Sequence, residues 1–350
     1  MGLSVMYDVI VIGAGPAGSV TARTVALAGY DVLIMEKKER CVSPCAGYIN
    51  KTINMDIPGE SVIQSNIKKM RTYFPDLTYH DFAINGFVVD RPLFDTDLVS
   101  KAIVAGANIK WDSPLVDICA GNPGNVKFRN GNMIGKIIVG ADGVFSKTAS
   151  IIGLEQQRFA ACSQYHIKDI EPIPQTCEIF FNADYAPGGY IWIYPTGNNS
   201  AKVGLGLINC KKSPRENLDT FITGSQIAHR ISGKRTEYIT GALPIGGLRE
   251  KLVFDNVLLA GDSAGMADPI TGAGINNAIL AGELAGKTII KTLENDDIAR
   301  LQEYETGIKK LLGRPLGRSL EKRKKIDACN NQLLQEHLPE LWVTFKQYWK

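Results

Sequence analysis

Four apolar residues in a row, Val9-Ile10-Val11-Ile12, follow Asp8 near the start of the chain. A short unbroken apolar run marks a strand buried on both faces, as in a parallel sheet. The spacing then becomes helical from about Pro16 to Ala28, halted by Gly29, and a second apolar strand runs from Asp31 to Met35. Two more apolar runs lie far down the chain. Residues 137–140 lead into Asp142-Gly143, and residues 257–260 lead into Gly261-Asp262, followed by a helical pattern from Ile275 to Leu293. Elsewhere the period is two: CEIFFNADY (177–185), PGGYIWIYP (187–195) and SAKVGLGLI (200–208) read as antiparallel strands of a mixed sheet. In the middle one, Tyr190, Trp192 and Tyr194 share one face, and Ile191 and Ile193 the other. Residues 296–350 read as helical.

The turns between these elements carry the chemistry. Gly13-Ala14-Gly15-Pro16-Ala17-Gly18 is a G-x-G-x-x-G joining the first strand to its helix. Gly13 permits the tight turn, Gly15 lets a pyrophosphate approach the backbone, Gly18 lets helix and strand pack, and the helix amino terminus faces the phosphates. Glu36 ends the second strand, where a carboxylate accepts from ribose hydroxyls. NAD and FAD both use this unit. Asp142-Gly143, Gly261-Asp262 and the cluster from Pro269 through Gly272, Ala273 and Gly274 form a second cradle far along the chain. An extended cofactor touched from both ends of the sequence points to FAD. Gly204, Gly206, Gly246 and Gly247 lie in strand-like context without a following helix, so no second such unit is read for a nicotinamide cofactor. A hydride donor then binds transiently, or electrons come from a reduced protein.

Composition narrows the class. The chain has 350 residues, 45% apolar and 21% charged, enough for one large or two ordinary globular domains. A net charge of +3 is too small to argue for nucleic acid. His80, His166, His229 and His337 lie far apart and away from any Cys-x-x-Cys, so no metal site is suggested. Seven irregularly spaced cysteines read as reduced thiols. Only Cys41 and Cys45 are close, as two thiols or as a redox pair. No apolar run approaches the ~20 residues of a membrane span, and the first is too short for a signal peptide. The expectation is a cytoplasmic protein, at most peripheral at a membrane surface.

The order GxGxxG with Glu36, then DG, then GD with PxxGxG resembles the FAD-dependent group of aromatic hydroxylases, flavin halogenases and geranylgeranyl reductases. PGGYIWIYP followed by KVGLG resembles the P-x-x-Y-x-W-x-F-P…G-x-G motif of the geranylgeranyl reductase family: Pro187, Tyr190, Trp192, Pro195, Gly204 and Gly206 match, and Tyr194 replaces Phe. Cys45-Ala46-Gly47 matches that family's Cys-x-Gly, with Tyr48 where another small residue is usual. The resemblance covers about residues 5–295. It implies an α/β fold with a Rossmann-like FAD-binding domain of the glutathione reductase and p-hydroxybenzoate hydroxylase type (1–70, 87–158 and 245–295). An inserted mixed or antiparallel substrate sheet (71–86 and 159–244) and a helical C-terminal region (296–350) complete it. Asp262 would bind the ribityl chain, and Gly272, Ala273 and Gly274 would lie beside the isoalloxazine ring. Arg91, ahead of a helix, would reach the FAD, and Cys45, Ala46, Gly47, Asp142, Gly143 and Gly261 would join the glycine turn and Glu36 in holding it.

The implied activity is saturation of C=C bonds in geranylgeranyl chains of a prenylated lipid precursor in archaeal-type membrane lipid synthesis. The implied electron donor is transient NAD(P)H or a reduced carrier such as ferredoxin. Cys45, Tyr190 and Trp192 form the implied catalytic set, and Tyr190, Trp192, Tyr194 and Pro269 the substrate contacts. An apolar chain wants such walls, since burial stabilises it by roughly 25 cal/mol per Å². Two plainer readings stand beside these: the rings as sheet core, and Cys45 as a packed small residue. A flavin monooxygenase or halogenase on the same scaffold is the alternative function; halogenases carry a W-x-W-x-I-P strand, whose first Trp is Tyr190 here, and need a tunnel lysine. A non-catalytic flavoprotein electron carrier is a third reading.

The tail adds charge. Lys309, Lys310, Arg314, Arg318, Lys322, Arg323, Lys324 and Lys325 stand against one acid, Glu321. Farther on, Leu338, Leu341, Trp342, Phe345 and Trp349 fall on one face if the helix continues. Such a segment either lies on anionic lipid or packs against the protein or a second subunit.

Overall fold

The computed structural model describes residues 6–51, 59–208 and 211–350, whose strands form two sheets of eight. In the first sheet, Met6–Ile12 lies between Val32–Met35 and Gly131–Gly140, all parallel. Val257–Leu259 and Asn108–Lys110 extend the parallel core on either side. Val9, Ile10 and Val11 are wholly buried, as their unbroken apolar run requires. The helix Pro16–Leu27 has proline at its first turn and stops before Gly29, which takes φ +87°. The later helix Ile275–Glu294 packs directly across it. A Cβ on Gly282 would stand 2.6 Å from the Ala17 carbonyl oxygen, and one on Gly286 2.5 Å from Thr24 Cβ. Those two glycines let the second cradle close on the first, although some 250 residues separate them in the chain.

The second sheet runs in the order Lys234–Pro244, Phe159–Lys168, Ser200–Leu207, Tyr190–Pro195, Thr176–Phe180, Ile63–Tyr73, Tyr79–Val89 and Tyr48–Asn50. It is antiparallel except where Thr176–Phe180 meets Ile63–Tyr73. The sequence-based boundary at residue 70 thus falls inside a strand, and the chain joins this sheet from Tyr48 rather than from 71. Strong β-pairing at long range, with no compositional break, hides that edge from the sequence. On one face, Ile191 and Ile193 pack with Val203, Leu205, Leu218 and Phe221. On the other, Trp192 and Tyr194 pack with Trp342, Phe345 and Tyr348 from the end of the chain.

The tail is helical to Leu341 and then departs from the expected single amphipathic face. Trp342 leaves the helix at ψ 134°, and a short 3-10 turn spans Lys346–Trp349. Trp342 is fully buried and its Nε1 donates to Thr72 Oγ1 at 3.0 Å; the Phe345 ring stacks on His80 at 4.7 Å. Trp349 alone of the five apolar residues stays exposed. No described helix is long and apolar enough to cross a membrane.

Candidate active site

The glycine turn is built as its residue types demand. Gly13 takes φ +107° with no room for a Cβ against the Ala141 carbonyl, and a Cβ on Gly18 would strike the Gly13 carbonyl. Gly15 faces open space: nothing lies within 4 Å of where its Cβ would be, and the same holds at Gly143. Glu36 closes the turn by accepting from Ala14 N at 2.9 Å. The Asp142 carboxylate accepts from Ser146 Oγ at 2.6 Å and from Thr148 N at 2.9 Å, which fixes the Gly143 turn ahead of the helix Lys147–Ile151.

Asp262 sits in the opposite wall. Burial pushes its carboxyl up to about 6, with Arg91 opposing, and it accepts no hydrogen bond among the described residues. A half-buried acid without a donor asks for one from a guest. Gly261, at φ +70°, turns over Ala17, and Asp262 Oδ1 would lie 3.4 Å from a Cβ on Gly274. Gln157 Nε2 donates to the Asp262 carbonyl at 2.8 Å and holds the turn. Asp268 accepts from Ile270 N and Thr271 N at 2.9 and 2.8 Å, shaping the loop that exposes Ala273 and buries Pro269. Open glycines on one side and an undonated carboxylate on the other fit a cofactor with phosphates and hydroxyls.

Arg91 begins the helix Arg91–Val104 and is buried, paired with Asp95 at 3.1 Å. Burial works against its charge, but Asp95 and Cys45 hold its pKa above the ordinary value. Its Cγ packs against the Cys45–Gly47 turn, 3.3 Å from where a Cβ on Gly47 would be, and its charge opposes the upward shift of Asp262. The residues 45, 91 and 262, picked out separately in the sequence, therefore converge.

The Cys45 turn rests on the second sheet. Gly241, on the strand Lys234–Pro244, has room for nothing larger beneath Pro44, whose Cβ stands 2.8 Å from where a Gly241 Cβ would be. Gly47, at φ +89°, lies against the Val89 carbonyl. Cys41 and Cys45 are free thiols.

The aromatic strand faces the same space. Tyr190 OH donates to the Thr271 carbonyl at 2.5 Å, tying the strand to the glycine-cluster loop. A Cβ on Gly204 would stand 2.5 Å from Trp192 Cζ2 and 2.6 Å from Gln164 Cβ; the trailing G-x-G is there to seat the indole. Trp192 is 8% exposed with Nε1 unpartnered, while Tyr194 is buried against Tyr48 at 6.1 Å. The rings are thus core toward the tail, and Trp192 Nε1 is enclosed without an acceptor among the described residues.

Two residues of this face escaped the sequence reading. Gln164, 2% exposed, has both amide atoms unpartnered among the described residues. Lys202, 8% exposed, donates from Nζ to the Ala46 and Val89 carbonyls at 3.1 Å each. A lysine inside the otherwise apolar strand SAKVGLGL, in phase with the glycines, was the available signal.

Residues 6–72 match the family model of an FAD binding domain, and 159–242 that of the geranylgeranyl reductase catalytic domain. The digeranylgeranylglycerophospholipid reductase of Methanocella arvoryzae is 34% identical over 91% of this chain and 86% of its own. The chain belongs to the geranylgeranyl reductase family. The reductase of the same name from Methanosarcina acetivorans is 31% identical over 98% of this chain and 89% of its own. A geranylgeranyl bacteriochlorophyll reductase-like protein of Thermoplasma acidophilum superimposes with a TM-score of 0.88 at 26% identity, covering 98% of this chain and 93% of that one. A flavin-dependent brominase, at TM-score 0.68 and 18% identity over 87% of this chain and 84% of its own, shares the fold alone. Like its family, this reductase is an FAD-dependent oxidoreductase.

Proposed function

We propose that this protein saturates C=C bonds in the geranylgeranyl chains of an archaeal-type prenyl lipid precursor. The observation that carries the reading is that Tyr190, beside Trp192 on the second sheet, ties onto the glycine-cluster loop next to Asp262, while Arg91 packs against the Cys45–Gly47 turn. Reduced FAD, when bound, supplies the hydride equivalent that an alkene accepts. Gly13, Gly15, Glu36 and Asp262 would hold it, and the loop from Pro269 to Gly274 would back its ring.

An isolated alkene is a poor electrophile, so the site must offer a proton and keep water out. Cys45, on the turn against which Arg91 packs, would deliver its Sγ proton to the alkene carbon that does not take the hydride. Tyr190 has its hydroxyl hydrogen committed to Thr271, so its part is to anchor the loop and to form wall. Trp192 forms wall, with its Nε1 enclosed. The tail seals the far side of the same face through Trp342 and Phe345. The halogenase alternative calls for a free tunnel amine, and the buried Lys202 is tied to two carbonyls.

Electrons arrive in this reading from a transient nicotinamide dinucleotide or a reduced carrier protein such as ferredoxin, and the lipid is met at a membrane surface. The deciding experiment is anaerobic. Flavin reduced with dithionite should reoxidise when a geranylgeranylated glycerophospholipid is added, with a product gain of two mass units per event. Flavin that stays reduced until oxygen enters would overturn the proposal.

A further inference from the structure

We propose that Lys202 is a positioning residue for proton delivery: its ammonium group pins the Cys45–Gly47 turn to the second sheet and faces the Cys45 sulfur as that sulfur gives up its proton. This rests on the reading of Cys45 as proton donor.

The geometry is specific. Lys202 lies in a row of four residues that register across neighbouring strands, Glu237, His166, Lys202 and Tyr194. Its Nζ reaches two carbonyls that bracket the site: Ala46, directly after the cysteine, and Val89, at the end of its strand and just ahead of Asp90 and Arg91. Among the described residues the third Nζ proton has no acceptor. A Cβ on Gly47 would lie 3.5 Å from Nζ and 3.3 Å from Arg91 Cγ, so lysine, glycine turn and arginine pack as one unit. A long flexible donor reaches both carbonyls, and an apolar residue would leave two acceptors undonated.

The charges around Lys202 come from several elements. Cys45 and Arg91 face it from above, Asp90 from the helix cap, and Glu237 and His166 from neighbouring strands. Burial lowers the Lys202 pKa, and Cys45 opposes that shift. An ammonium held against the Cys45–Gly47 turn favours negative charge that develops beside it.

The step balances as follows. The S–H bond breaks and its proton forms a C–H bond at one alkene carbon. FAD, when bound and reduced, would supply the hydride equivalent for the other carbon, which consumes the π bond. Sulfur keeps the electron pair of the broken bond as thiolate, between Lys202 and Arg91, until solvent returns a proton.

The test uses oxidised, FAD-loaded enzyme without substrate, so that it does not depend on turnover. Iodoacetamide alkylation of Cys45 is followed by peptide mass, with the exposed Cys119 as internal reference. Lys202→Met should slow Cys45 alkylation about tenfold relative to Cys119, and Lys202→Arg should stay within about twofold of wild type, since it keeps the charge. Single-turnover flavin reoxidation should follow the same order. Should Lys202→Met lose FAD or fail to fold, Lys202→Gln, which keeps a donor for the carbonyls, carries the comparison. Unchanged alkylation in the neutral variant, or equal slowing in the arginine variant, would overturn the proposal. Full reductase activity in Cys45→Ser would instead refute the proton-donor reading and leave the measured Lys202–Cys45 coupling standing.

Discussion

At the residue scale, Asp262 makes the sharpest demand. It is an acid whose folded pKa, about 6, lies above the 3.8 of an unperturbed aspartate because burial penalises its charge. Between those values the cofactor-free native state binds a proton that the unfolded chain has lost, so native stability falls as pH rises through this window. Asp262→Asn should therefore raise the melting temperature of cofactor-free protein at pH 7, and the gain should vanish as the pH falls towards 4. The same variant should bind FAD at least tenfold more weakly, read by flavin fluorescence on titration. A variant that melts like wild type at pH 7 would show that solvent already relieves the carboxylate. Cys45→Ser tests the partner group: FAD content should stay at wild-type stoichiometry while alkene reduction slows at least tenfold, about 1.4 kcal/mol of barrier. Asp262 and Cys45 were legible because short motifs carried them. Lys202 and Gln164 were not, because what distinguishes them is burial and pairing across strands, which a single strand's pattern does not report.

At the scale of elements, the aromatic strand was read correctly in its alternation and only partly in its surroundings. Period two separates Tyr190, Trp192 and Tyr194 from Ile191 and Ile193 in the structure as it does in the sequence. The tail misled, because a helical wheel assumes that the helix continues. At Trp342 the chain turns out of it, and the contacts that pull it across are to residues such as Thr72 and His80, some 270 positions away. No local pattern encodes such a partner. The strand's tight seat gives a direct test. Gly204→Ala forces a methyl group into the Trp192 ring and the Gln164 stem. Overpacking of this kind costs about 1–3 kcal/mol, and each 1 kcal/mol lowers the melting temperature by roughly 2–4 °C in a large domain. A melting temperature unchanged by the substitution would mean that the indole is free to move, and the strand would lose its standing as a fixed wall.

For the whole molecule, the fold of the tail decides how a lipid surface can be met. Leu338, Leu341, Trp342 and Phe345 are spent on the protein's own core, so they cannot also enter a bilayer. Of the basic run, Arg323 is buried, donating to the Gly188 carbonyl and pairing with Asp327 at 2.7 Å, while Lys322 and Arg318 lie over the Tyr348 and Trp349 rings. Lys309, Lys310, Arg314, Lys324 and Lys325 remain exposed. Peripheral contact in our reading thus rests on charge, worth about 1 kcal/mol for each lysine or arginine near an anionic surface. Charge of this kind is screened, since the Debye length falls from about 30 Å at 0.01 M salt to 3 Å at 1 M. Sedimentation with anionic vesicles should accordingly be strong at low salt and lost at high salt. A quadruple charge reversal, Lys309→Glu, Lys310→Glu, Lys324→Glu and Lys325→Glu, should abolish it without lowering FAD content or the reduction of a detergent-dispersed prenyl substrate. Binding that survived both high salt and the reversal would place the exposed Leu311 and Trp349 in the bilayer as apolar anchors, and the electrostatic account would give way to insertion.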